Sequence, residues 1–368
     1  MALASVAPSP GTWDNILTTT MNNYRKSLTD NIFNSRPLLE YLMSKGRVRM
    51  LDGGYQIVEP LLLGGGEANS YGPWQQIQVN AVQGISAAVY PWRQLYATII
   101  ISGLEEAQNN GKEQIISLVE AKVMQAEETL KDLLSKMLYG TKAGALPTDW
   151  DPFTTLIDAT AAAGGITPAA APAIENLWRS PTWNAATNTG TDSKGAAIVM
   201  PGPALTSPYD GTELETVLRH MFMLSSDSGS DHVDAIFAGA AWYSAYEASL
   251  TPQVRYTDTS KANLGFQNLM FKNVPLYYDA DCPTGTALGL NSKYIGLAIH
   301  SDRNFKQSPF TANLSGSVAS TANANPGAAA AAPAANAIDA RVSFITTFGN
   351  TTVRNRRRLF KITGATFG

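Results

Sequence analysis

The sequence is poor in the residues that carry chemistry. Its 368 residues include one cysteine, Cys282, and three histidines, His220, His232 and His300. A single cysteine excludes an internal disulfide and any thiolate zinc cage. Cys282 stands beside Pro283 with no basic neighbour to lower its pKa, so no reactivity is assigned to it. The histidines lie far apart and form no H-E-x-x-H pair, so each reads as structural. Charge is scarce too, at 15% of residues, against about 25% in an ordinary globular domain. A net charge of −3 gives no global field toward nucleic acid. No apolar run approaches bilayer length, and the stretch Leu95–Ile101 is about the length of a strand. The opening MALASVAPSPGTW lacks the basic start and apolar core of a signal peptide. The expectation is a soluble chain made in a reducing interior, with no membrane partner.

Catalytic motifs are missing as well. Gly64-Gly65-Gly66 has no Gly-Lys-Ser/Thr ending and reads as a bend rather than a phosphate loop. No G-x-S-x-G elbow is present to place a serine nucleophile. Asp227, Asp231 and Asp234 cluster in SSDSGSDHVD, but without the spacing or terminal glutamate of a calcium loop. The sequence therefore yields no catalytic, cofactor-binding or metal residue.

What is present is apolar and patterned. Hydrophobic residues make up 44%, with 30 glycines and 20 prolines, a balance that suits a protein whose surfaces are covered by neighbours. Residues 1–46 read as an arm with short helices, one restarting at Arg36-Pro37-Leu38-Leu39 with proline at a tolerated first position. Tyr55–Leu63 and Gly84–Ile101 have strand composition, with a turn at Asp52-Gly53-Gly54 and a polar tip at Gly64–Gln76. They read as a protruding hairpin, which needs outside support because a lone hairpin is marginal in water.

Residues 112–139 carry the clearest periodicity. Ile115, Val119, Val123, Ala126, Leu130, Leu133 and Met137 share one helical face. Asn110 and Glu113 suit the start and Gly140 the end. Glu127–Lys131 and Asp132–Lys136 are i,i+4 pairs. Such a helix is about 40 Å long at ~1.5 Å per residue.

Helices are then expected at Asp210–Phe222 and Ala240–Leu250. Strands are expected at Val233–Phe237, Leu269–Tyr278, Ala287–Leu290 and Tyr294–His300, a sheet with helices packed on it. Residues 315–337 are low-complexity and too poor in apolar bulk to form a core. ARVSFITTF and TTVRNRRRLFKI read as two strands about a turn at Gly349-Asn350. The basic run Arg354, Arg356, Arg357, Arg358 and Lys361 would place Arg354, Arg356 and Arg358 on one side of an extended strand. It lacks the interleaved aromatics of a single-strand binder. The favoured role for Arg356 and Arg358 is pairing with carboxylates, for which Glu120, Glu127, Glu128 and Asp132 of the long helix are available.

Four stretches in this order resemble the tailed-bacteriophage major capsid protein family. They are VYPWRQLYATIIISGLEEAQNNGKEQI with the helix after it, DHVDAIFAGAAWYSAYEASL, FKNVPLYYDADCPTGTALGLNSKYIGLAI, and TTFGNTTVRNRRRLFKI. The resemblance implies an α+β chain with the Hong Kong 97-type capsid fold. Residues 1–46 would be the N-terminal arm and 47–102 the extended β-hairpin loop. Residues 103–143 and 338–368 would form the peripheral domain with its spine helix, and 144–310 the axial domain. Residues 311–337 would be a low-complexity Ala/Asn/Pro loop that departs from the family.

The function so implied is a non-enzymatic shell subunit without cofactor. It assembles with itself as pentamers and hexamers and encloses double-stranded DNA without reading its sequence. Scaffolding, portal and decoration proteins are further partners, and the place is the virion capsid, assembled in the host bacterial cytoplasm. Inter-subunit contact candidates are Tyr55, Trp74, Trp92 and Arg93 on the loop, and Arg354, Arg356 and Arg358 on the tail. Some members of the family weld subunits by lysine–asparagine bonds from a lysine on the loop. Here no lysine stands between Lys45 and Lys112, so no such weld is expected.

Two rival readings remain. One is an encapsulin-like nanocompartment shell with the same fold. The other is a hydrolase or binding module with its site at Asp227, Asp231 and His232.

Overall fold

The computed structural model describes residues 36–65, 68–77, 79, 84–108, 118–144, 146–169, 174–200, 211–226, 231–250, 269–315 and 337–365. Most of the arm, the Asn110 cap, Ile115, Asp227 and most of the low-complexity loop lie outside them.

Helix α1 (Pro37–Ser44) starts on proline, where the missing N–H breaks no helical bond, and it buries Leu38, Tyr41 and Leu42. Strands β1 (Val48–Leu51), β2 (Ile57–Leu62), β3 (Ile85–Tyr90) and β4 (Arg93–Ser102) follow. Of these four, β2 and β3 pair with each other as a separate two-stranded sheet, a hairpin. The expected second strand of the loop is cut at Pro91-Trp92, since proline brings no N–H to a ladder. β1 instead lies parallel on β11 (Ile295–His300).

Helices α2 (Gly103–Gln108) and α3 (Leu118–Tyr139) come next. The buried stripe of α3 is Ala126, Leu130, Leu134, Met137 and Leu138. Leu133 is half-buried and Val119 exposed, so the stripe runs one position off the expected face toward its C-terminal end. Lys136 pairs with Asp132 at 2.8 Å as expected, but Lys131 pairs with Glu128 rather than Glu127. The helix closes at Gly140, where φ is 72° and a residue without Cβ is favoured. The Gly140 and Thr141 N–H groups return to the carbonyls of Met137 and Lys136, at 3.0 and 2.9 Å.

The remainder comprises α4 (Phe153–Leu156), β5 (Thr182–Asn184), β6 (Thr189–Thr191), α5 (Gly211–Ser225), β7 (Ala235–Ala238), α6 (Ala240–Ser249), β8 (Met270–Phe271), β9 (Val274–Tyr278) and β10 (Ala287–Leu290). After β11 come β12 (Lys306–Gln307), β13 (Thr311–Ser315), β14 (Ala337–Val353) and β15 (Phe360–Thr363). A seven-stranded sheet has the order β6-β5-β15-β10-β7-β9-β8. Its inward residues Trp183, Ile236, Leu276, Phe360 and Ile362 pack with Leu214, Val217, Leu218 and Met221 of α5 and Trp242 of α6. A six-stranded sheet has the order β1-β11-β14-β12, with β4 and β13 also pairing β14.

The expected turn at Gly349-Asn350 is absent, because β14 runs unbroken through it. Gly349 is there for close approach. A Cβ on it would stand 2.3 Å from the carbonyl oxygen of Ala298 on β11 and 3.0 Å from the Trp150 ring. Asn350 is fully buried. Its amide donates to the carbonyl of Pro91 at 2.9 Å and to Asp151 at 2.8 Å, and its oxygen accepts from the Asp151 N–H at 3.0 Å.

Contacts divide the chain into two units, residues 1–34, 98–126 and 309–343, and residues 35–97, 127–308 and 344–368. In the first, Lys122 bridges Glu105 at 2.8 Å and the Ile100 carbonyl at 2.9 Å, and Arg341 pairs with Glu106 at 2.8 Å. The second holds the seven-stranded sheet and the β2–β3 hairpin. Among the described residues no helix is long and apolar enough to cross a membrane.

Candidate subunit interface

The hairpin register sorts its residues onto two faces. Ile57, Glu59 and Leu61 stand opposite Tyr90, Ala88 and Ser86, while Val58, Pro60 and Leu62 stand opposite Val89, Ala87 and Ile85. The first face is turned into its own chain. Tyr90 donates to the Val353 carbonyl at 2.9 Å, the Val89 N–H bonds the Gly164 carbonyl at 2.9 Å, and Glu59 is held by Arg49 at 2.9 Å and Arg354 at 3.1 Å.

The second face is wholly apolar and lies largely open. Leu62 is 79% exposed, Ile85 71% and Val58 49%. Toward the tip Tyr71, Ile77 and Val79 are exposed as well. A contiguous exposed apolar surface marks an interaction site. Sequence reading missed this face because the polar residues Glu59 and Ser86 stand on the covered side, so alternation points to the wrong face.

The seven contact candidates separate by what their own chain already does with them. Tyr55 and Trp74 are fully exposed. Trp92 stacks on Phe348 with ring centres 5.0 Å apart and donates its N–H to the Gly54 carbonyl at 2.8 Å, and Arg93 pairs with Asp151 at 2.9 Å. These contacts fix the root of the hairpin internally.

The tail corrects the extended reading of the basic run. After β14 the chain turns at Asn355, whose side chain accepts from the Arg357 N–H, and Arg356–Arg358 form one turn of 3-10 helix. The three arginines therefore do not share a side. Arg354 goes to Glu59, and Arg358 lies 3.6 Å from Asp231. Arg356 is fully buried and points inward. It donates to four backbone carbonyls, those of Leu156, Ala161, Trp178 and Asp158, at 2.8, 3.0, 2.9 and 2.6 Å. The expected carboxylate partners on the long helix are not used, and Arg356 is an internal brace rather than a surface for another subunit. Burial pushes its pKa down to about 10, which leaves it charged at neutral pH.

Lys361, from the same run, pairs with Asp158. Burial alone pushes that carboxyl up. The hydrogen bond and charge of Lys361, with the N–H groups of Thr160 and Ala161, outweigh burial and hold it at about 2.

The residues of the hydrolase reading do not assemble. Asp231 accepts from Asn291 at 3.2 Å and from the Tyr294 hydroxyl, and His232 Nδ1 lies 2.6 Å from the Val233 carbonyl. Both are occupied in holding the chain, and Asp227 lies outside the described residues. Cys282 is buried, with its thiol pushed well up by burial and by the charge of Asp279. No group of three or more metal-ligating side chains is found among the described residues.

No protein-family model matches the sequence, and no curated protein matches it. Solved structures do match over almost the whole chain. A chain of the capsid asymmetric unit of cyanophage A-1(L) is 16% identical, with a TM-score of 0.58, covering 95% of this chain and 99% of that one. The capsid of the native GTA particle gives 9% identity and a TM-score of 0.56, covering 99% and 100%. The SrpI encapsulin of Synechococcus elongatus gives 9% identity and a TM-score of 0.50, covering 99% of each chain. The chain has the fold of these shell proteins, the α+β Hong Kong 97-type capsid fold.

Proposed function

We propose that this chain is the major capsid protein of a tailed bacteriophage, a structural subunit that closes into an icosahedral head around double-stranded DNA. The observation that carries the reading is the open apolar face of the hairpin, Val58, Pro60 and Leu62 across from Val89, Ala87 and Ile85. A subunit left alone exposes this face to water, and a neighbour placed over it removes the cost. Heterologous contacts of this kind close into rings of five and six when the rotation is right, and many weak contacts per subunit then act together.

In this reading residues 1–46 are the arm and 47–102 the extended loop around the hairpin. Residues 103–143 and 338–368 are the peripheral domain, 144–310 the axial domain, and 311–337 an added loop. Tyr55 and Trp74 are contacts on the loop, and scaffolding, portal and decoration proteins are the partners of assembly in the host bacterium. The shell works by geometry, so no catalytic group or cofactor takes part.

The encapsulin match supports a second reading, a nanocompartment shell around a protein cargo. Purification of assembled particles tests both. Closed shells holding nuclease-protected double-stranded DNA support the capsid, and closed shells holding a co-purified protein support the compartment. A compact monomer under assembly conditions removes both.

A further inference from the structure

Two adjoining cavities open at the root of the hairpin, of ≈ 390 and ≈ 180 Å³, and Lys293 and Arg354 line both. Their walls bring together Arg47, Arg49, Lys293, Arg354 and Arg357, five cations from three distant stretches of chain. The one carboxylate among the lining residues is Glu59, buried and already shared by Arg49 and Arg354.

Of the other three, Arg47 and Arg357 have no ion pair among the described residues, and Lys293 is answered only by the charge of Asp231, beyond ion-pair distance. Among the described residues the Arg357 guanidinium has neither hydrogen bond nor ion pair. Lys293 leans on the Tyr294 ring, its Nζ 5.3 Å from the ring centre, without a carboxylate in ion-pair range. Among the described residues Arg47 forms no ion pair, and its Nε is buried without a hydrogen-bond partner. Like charges gathered in a recess repel one another, and the low-dielectric walls strengthen that repulsion relative to open water. An anion is the complement that relieves it.

The walls say which kind of anion. Pro60, Leu61, Leu62, Leu63 and Leu177 form the apolar side of the larger cavity. A phosphodiester backbone needs cations that stand out toward it and gains nothing from leucines. A peptide segment with a carboxylate beside apolar residues uses both sides. Pro60 and Leu62 also belong to the open hairpin face, so cavity and face form one surface. The chain itself can supply the acid. It carries 30 Asp and Glu against 27 Lys and Arg, and Asp52 and Asp302 stand exposed without an ion pair among the described residues.

We propose that this cationic recess is the receptor for a carboxylate-bearing segment of a second copy of the chain, seated as the hairpin face is covered. The proposal rests on the shell reading and names the polar half of its interface.

Two measurements on assembled particles test it. The first mixes isotopically light and heavy subunits before assembly and treats the particles with a carbodiimide, which joins an amine to a carboxylate in direct contact. Mixed-isotope peptides joining Lys293 to an aspartate or glutamate are expected. Lys293 linked only within one copy, or not linked at all, overturns the proposal.

The second uses Lys293→Glu with Arg357→Glu, which leaves the Glu59 pairs intact. Subunits should keep the parental circular dichroism and melting temperature while particle yield falls more than about tenfold, the effect of ~1.4 kcal/mol or more at the interface. Parental yield of empty shells with loss of packaged DNA alone assigns the recess to phosphodiester and overturns the carboxylate. If the double variant does not fold, the cross-link on the parent chain decides. Failure of the parent to form particles at all refutes the shell reading instead, so the two failures are distinct.

Discussion

Arg356 donates from Nη1 to the carbonyl of Trp178 at 2.9 Å, while its guanidinium stands 5.8 Å from the centre of the same residue's ring. One side chain thus answers both the backbone and the π face of Trp178, and it ties the loops around Leu156–Ala161 and Trp178 to the turn after β14. Removing it leaves the carbonyls of Leu156, Ala161 and Trp178 without this donor, while that of Asp158 keeps the Ser180 N–H at 3.2 Å. Arg356→Met should therefore cost about 3 kcal/mol or more, since each buried acceptor left unsatisfied costs roughly 1–3 kcal/mol. Arg356→Lys should recover only part of this, since an ammonium lacks the planar fork that reaches several acceptors at once. Denaturant unfolding of dissociated subunits checks both, and the loss should appear before any shell or DNA is present.

The Asp158–Lys361 pair gives the fold an acid limit. The Asp158 carboxyl is held at about 2 in the folded chain, below its ordinary 3.8. A depressed acid contributes stability that is complete above its unfolded pKa and lost as pH falls through the folded one. Its contribution should be intact at neutral pH and vanish between roughly pH 4 and pH 2. Asp158→Asn should lower stability at pH 7 and flatten the acid side of the pH–stability profile of dissociated subunits in that window. An unchanged profile would show that the pair contributes nothing.

Much of the architecture was legible because it is written locally. The apolar steps of α3, its Gly140 terminus, the proline start of α1 and the alternating strands and helices from residue 211 to 300 all depend on near neighbours. What was illegible depends on distant ones. Asn350 reads as a turn residue until its partners Pro91 and Asp151 arrive from 259 and 199 positions away. Arg354, Arg356 and Arg358 read as one strand face until the 3-10 turn sends each in a different direction. The cationic recess has no local trace at all, because its members come from residues 47–49, 293 and 354–357.

Gly349 turns that lesson into a measurement. A turn glycine in left-handed backbone tolerates asparagine, whereas a close-approach glycine tolerates no Cβ of any kind. At this position the added atom meets the Ala298 carbonyl at 2.3 Å, and backbone of a paired strand has little room to give. Gly349→Ala and Gly349→Asn should both destabilise, by at least the ~1–3 kcal/mol typical of overpacking. Thermal melts of the two variants beside the parent decide it. If the asparagine variant melts with the parent, the position is not a close-approach site.

The hairpin face offers the test in which folding and assembly come apart most cleanly. Leu62 and Ile85 face each other across the β2–β3 ladder and are largely exposed in the single subunit. Replacing both with one charge sign would set like charges directly opposite and strain the hairpin itself. Leu62→Glu with Ile85→Lys avoids this, since opposite charges across an antiparallel pair contribute about 0.2–1 kcal/mol to the ladder. The subunit should then fold as the parent does, with surface changes worth within about 0.5 kcal/mol. A neighbour laid over this face would have to bury both charges instead of two apolar side chains that each contribute roughly 1.5–3 kcal/mol when covered. That loss recurs at every copy in a shell, so closed particles should disappear from electron micrographs while the dissociated subunit keeps its melting temperature. Shells formed at the parental yield would show that the face stays open in the assembly, and that the hairpin's contact lies elsewhere.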